Sequence, residues 1–214
     1  MTTTPTTVRF TEEMRGYASF GTEDPEEGYR AGEAAGNFLM FHLTIETGDI
    51  DRFYRDPEHE GVATGWVRCD QLGGTHQVKE GVFNLFVSGD DRREREMRYR
   101  LFFNDGVGNP LTFTGVKYVR DHPGFDVWSD TSTLYSKILS GHVSEPEDDE
   151  ASVVASGILR IRKRDFARQL TTFRASGPSL GAKVRAFLLF MGLFAGKLFD
   201  VYVLERIGFE PPGS

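Results

Sequence analysis

The stretch DVWSDTSTLY, from Asp126 to Tyr135, gathers Trp128, Asp130, Thr131 and Tyr135 at what reads as the entrance to a strand. A carboxyl among aromatic neighbours can bind or protonate a ligand, because burial raises its pKa. The same Asp-Thr-Ser order is also a turn device, in which the aspartate accepts from nearby backbone amides. The turn is the favoured reading: Asp130 bonds an amide and is not catalytic. Arg98, Arg100 and Lys117 are cations available to that carboxylate, although isolated surface charges account for them as well. Trp66, Phe86, Tyr99 and Tyr118 join Trp128 and Asp130 as the candidate ligand-binding set.

Other chemistries find no footing. The five histidines, His42, His59, His76, His122 and His142, sit on separate elements with no HxH or HxxxH spacing, so no metal is expected. Gly-x-Ser-x-Gly is missing, and the glycines of NDGVGNP neither match Gly-x-Gly-x-x-Gly nor open a helix, so neither a serine nucleophile nor a nucleotide cradle is read. Cys69 is the single cysteine, which excludes an internal disulfide; alternating with Val67, it reads as a small core residue. A net charge of -7 argues against a nucleic-acid partner. MTTTPTTVRF lacks the basic-then-apolar order of a secretory signal, so a cytoplasmic location is expected.

The elements that must position these groups are mostly strands. FHLTIE alternates Phe41, Leu43 and Ile45 with His42, Thr44 and Glu46, and further strands are read near 9–20, 62–70, 111–120, 131–139 and 153–162. GVFNLFV and RYRLFF are apolar on both faces in part, which asks for a cover on the outer side. The acidic SEPEDDEA reads as a solvated loop, and TGDIDRFYRDPEHEG is given no regular structure. Gly16, Gly65, Gly81, Gly115 and Gly157 each stand before or inside an alternating run. Glycines so placed mark bulges and bends, and a sheet that coils on itself needs them regularly. The expected fold is therefore mainly β: a strongly curved, lipocalin-like antiparallel β-barrel over 9–163, with a β-sandwich as the alternative.

A disordered tail over 1–8, C-terminal helices over 164–204 and a tail over 205–214 complete the expected organisation. The first helix carries Phe166, Leu170 and Phe173 on one stripe and stops at Ser176-Gly177-Pro178. The second, from about Ser179 to Val203, is apolar almost all round from Ala186 to Ala195, a run too short to span a bilayer. It packs on the sheet, docks a partner or lies in a membrane interface, with Phe187, Phe190, Met191 and Phe194 as the contact residues and Lys183, Arg185 and Lys197 flanking them.

FTEEMRGYASFG, LTIETGDIDRF, MRYRLFFNDGVGNPLTFTGVKYVRD, DVWSDTSTLY and FARQLTTFRASG, spread over about Phe10 to Tyr202, together resemble a known family. It is the β-rich accessory region of cholesterol-oxidase-like flavin oxidoreductases of the glucose-methanol-choline family in actinobacteria. The resemblance implies an association with the oxidation of sterols or other long hydrophobic alcohols by a separate flavoprotein. This chain lacks the flavin-binding glycine motif, and no cofactor of its own is expected. Two functions stand open. One is a non-enzymatic binding module for an apolar ligand such as a sterol, isoprenoid or long-chain lipid. The other is a cofactor-free isomerase or cyclase acting inside the barrel, which needs a buried titratable group.

Overall fold

Alternating runs become strands, and their apolar phase turns inward. The computed structural model describes residues 4–88, 94–120 and 132–207, with only the backbone described at 94, at 120 and over 195–207. It contains β1 (Thr7–Phe20), β2 (Phe38–Glu46), β3 (Glu60–Cys69), β4 (Gly74–Val78), β5 (Glu80–Ser88), β6 (Glu94–Asn104), β7 (Pro110–Arg120), β8 (Thr133–Ser140), β9 (Val153–Arg160) and β10 (Arg174–Ser176). All pairings are antiparallel, in the order β1-β2-β3-β5-β6-β7-β8-β9, and β9 pairs back onto β1. This closes an eight-stranded barrel and excludes the sandwich, whose two sheets would leave those edges apart. β4 prolongs the line of β5 along β3, and β10 prolongs that of β9 along β1.

All five glycines lie within strands of the barrel, in β1, β3, β5, β7 and β9. Gly16 shows the reason at the closing seam: a Cβ there would stand 2.0 Å from the carbonyl oxygen of Ile158 on β9. Only a residue without a side chain lets the strands cross so closely. Gly65 adds a backbone requirement, with φ of 146° in mid-strand.

Among the described residues, four helices dress the barrel. α1 (Pro25–Ala35), which the sequence reading passes over, begins with an Asp24 cap accepting from Glu27 N at 2.7 Å and ends at a left-handed Gly36. It buries Gly28 and Gly32 against the outer side of β9 and β1. α2 (Ile50–Arg55) falls in the stretch given no regular structure, capped by Asp49. α3 (Lys163–Leu170) is shorter than expected: Phe173 lies beyond it, and Arg174–Ser176 pairs with β1 instead of extending the helix. α4 (Leu180–Ile207) lies on the end of the barrel beside α2.

The expected boundaries move accordingly. β1 already starts at Thr7, with Val8 fully buried and its N–H donating to Thr47 Oγ1 at 3.1 Å, so residues 7 and 8 belong to the barrel. The acidic 144–150 segment is a largely exposed loop, as expected, and it is anchored to the barrel. It holds a short 3-10 turn at Glu145–Glu147, and Asp148 takes a bidentate grip from Arg100 at 2.9 and 2.5 Å. Arg98 reaches Glu145 at 2.8 Å. Among the described residues no helix is long and apolar enough to cross a membrane.

Of the contact residues expected on α4, Phe190 and Phe194 are buried and correct that expectation. Phe190 packs on Phe10 at 5.7 Å, Phe53 at 5.9 Å and Phe173 at 5.7 Å. Met191 is half-buried; Phe187 is exposed together with Leu180, Val184 and Leu188. Arg185 is committed to Asp51 of α2 through two bonds at 3.0 and 2.6 Å.

Candidate functional site

On β1 the inward phase runs Val8, Phe10, Glu12, Met14, which places a carboxylate in the barrel lumen one inward step beyond the α4 cap. On β7 the same phase runs Phe113, Gly115, Lys117, Val119 and brings in an ammonium. The two meet: Lys117 Nζ donates to Glu12 Oε1 at 2.6 Å, with both side chains under 5% exposed. Tyr99 of β6, also inward, donates its hydroxyl to Glu12 Oε2 at 2.7 Å. Lys117 Nζ stands 5.1 Å from the centre of the Tyr99 ring, a cation–π contact. Apolar rings surround the cluster, Phe83 at 5.0 Å and Phe41 at 5.7 Å from the Tyr99 ring.

Burial, reinforced by the neighbouring Glu12 carboxylate, pushes the Tyr99 hydroxyl well above the usual 10.0. Its proton is therefore kept in the folded chain under conditions that ionise exposed tyrosines. A folded-state pKa raised above the unfolded one contributes stability that is complete below about pH 10 and declines as pH rises beyond it. Tyr99→Phe removes that dependence. Urea midpoints measured across the alkaline range should fall more steeply for the parent chain than for Tyr99→Phe; parallel profiles would refute the assignment.

The other candidates are dispersed. Trp66 alternates with inward Val67, so it stands on the outer face of β3, stacked on His42 of β2 at 5.5 Å and 9°. Tyr118 follows inward Lys117 and pairs outside with Tyr135 at 5.8 Å. Phe86 sits at a bulge of β5 with φ of 53°, half-buried against the core. Tyr99 alone of the described candidates faces the lumen near the buried charges; Trp128 and Asp130 lie outside the described residues. Lys117, expected as a cation for Asp130, is taken by Glu12. Cys69 is a core residue as expected, its thiol pushed up by burial. Among the described residues no group of three His, Cys, Asp or Glu side chains converges as metal ligands.

Glu12 escaped the sequence reading, although a signal was present. It is the one charged residue on the apolar phase of β1, as Lys117 is on that of β7. The chain matches no family model, no curated protein and no solved structure. The site is therefore read from its own chemistry.

Proposed function

We propose that the protein is a binding module for an apolar small molecule bearing one hydroxyl or carbonyl end, of the sterol, isoprenoid or long-chain lipid class. The observation that carries this reading is the Glu12–Lys117–Tyr99 cluster, walled by Phe41 and Phe83 in a mainly apolar lumen. A buried ion pair is poor value for stability, since apolar residues of similar volume do as well or better, so its presence in a barrel core calls for a use. Eight-stranded barrels hold either side chains or one small ligand, and ligand sites combine apolar walls with a few placed polar groups. In this reading the ligand enters at the end covered by α4 and places its polar end on the Tyr99 hydroxyl and the Lys117 ammonium. The resemblance read from the sequence adds a separate flavin oxidoreductase as the enzyme served.

A second reading, a cofactor-free isomerase or cyclase, is favoured by one specific observation. The Tyr99 proton is held far above neutral pH beside a carboxylate and an ammonium, the kind of perturbed cluster that acid–base chemistry uses. The experiment is native mass spectrometry with lipid extraction of the purified chain. A co-purifying lipid is expected, reduced at least tenfold in Tyr99→Phe. A chain that carries no lipid and takes up neither cholesterol nor farnesol would refute the binding module; release of an altered molecule would move the reading to the enzyme.

A further inference from the structure

Glu13 follows Glu12 on β1, so alternation turns it to the outside, where a second polar site forms under α3. Glu13 Oε2 lies 3.4 Å from His42 Nδ1, and its other oxygen accepts from Arg15, which also stands 3.6 Å from Asp165 of α3. Glu13, His42, Asp165, Arg168 and Gln169 line a cleft of about 390 Å³ together with Thr11 and Thr172. Its size is at the small end of ligand pockets, which run from about 300 to 1,000 Å³.

Three observations define what the cleft accepts. Gln169 is 4% exposed, yet its Oε1 has no hydrogen-bond partner. A buried carbonyl left unpaired costs about 1–3 kcal/mol and calls for a partner that donates. Thr172, by contrast, is already spent within the protein: its Oγ1 accepts from Thr11 N at 2.9 Å and donates to Gln169 O at 2.7 Å. The formal charges of Glu13 and Asp165 balance those of Arg15 and Arg168, so an ion of either sign gains little. A neutral molecule with O–H donors supplies the partner that Gln169 Oε1 lacks, and its oxygens are acceptors for the Arg168 guanidinium that lines the cleft. His42 forms one wall of the cleft and stacks on the flat face of Trp66.

We propose that this cleft binds a neutral polyhydroxylated molecule the size of a single monosaccharide or cyclitol, which donates to Gln169 Oε1 and accepts from Arg168. The test is saturation-transfer NMR on the whole chain with D-glucose, D-galactose, D-mannose and myo-inositol at millimolar concentration. Transfer to at least one is expected, with the Kd raised at least tenfold in Gln169→Leu and in Arg168→Ala. Arg168 is exposed, so its replacement leaves the fold intact. Tyr99→Phe, inside the barrel, leaves this Kd unchanged. No transfer to any of the four, or a Kd within twofold of the parent in both variants, would overturn the site, even if Gln169→Leu raised the Tm by removing the unpaired carbonyl.

Discussion

Replacing Lys117 with methionine should lower the stability of the folded chain by about 3–5 kcal/mol, the usual penalty for stranding one partner of a buried ion pair. The loss comes less from the missing attraction than from what is left behind. Glu12 keeps a single donor, the Tyr99 hydroxyl, and a carboxylate in a lumen walled by Phe41 and Phe83 has no water to take the place of the ammonium. Methionine fills nearly the same volume, so a packing defect does not confound the measurement. The double variant Glu12→Leu/Lys117→Met, which removes both charges, should recover most of the loss. Chemical denaturation of the two proteins separates the cases: equal destabilisation of single and double variants would mean that the cluster matters as volume and not as charge.

Phe190→Ala is expected to cost a similar amount, about 3–5 kcal/mol, through the cavity left among Phe10, Phe53, Phe173 and Phe194. Leu188→Ala, two residues earlier on the exposed side of α4, should stay within about 0.5 kcal/mol. The pair tests whether this helix is a cap held by one face. Urea midpoints that shift equally for both would contradict it. The effect reaches beyond stability, because the packing that Phe190 provides lies one inward step of β1 above Glu12.

The barrel was legible because its constraint is local. A coiled sheet must bend strand by strand, and Gly16, Gly65 and Gly157 announce the bends within their own runs. Alternation also holds, but residue type without phase does not separate lumen aromatics from outer ones. Trp66 and Tyr118 fall on the outer phase of strands whose inner phase is set by Val67 and Val119. Reading phase first would have picked Glu12 and Lys117, two opposite charges on inward positions. That they touch is a long-range fact, fixed by the registers of β1 against β9, β9 against β8 and β8 against β7. The helices were mixed. Asp24-Pro25 and Gly36 bracket α1 with ordinary cap signals, whereas the break of α3 before Phe173 follows from β1 offering Arg174–Ser176 an open edge.

The seam where Arg15 meets Arg160 has a consequence for the order of events during synthesis. β2 through β8 each find a neighbour soon after leaving the ribosome, since each pairs with a strand that precedes it closely in chain order. The edge of β1 that faces β9 must wait until nearly the whole chain has emerged. Contacts of such sequence separation slow folding, and an unpaired edge is an invitation to other chains while it lasts. Arg9, Glu13 and Arg15, all on the outward phase of that strand, put charge along it during the wait. The half-made barrel thus carries its own protection against sticking to a neighbouring nascent chain.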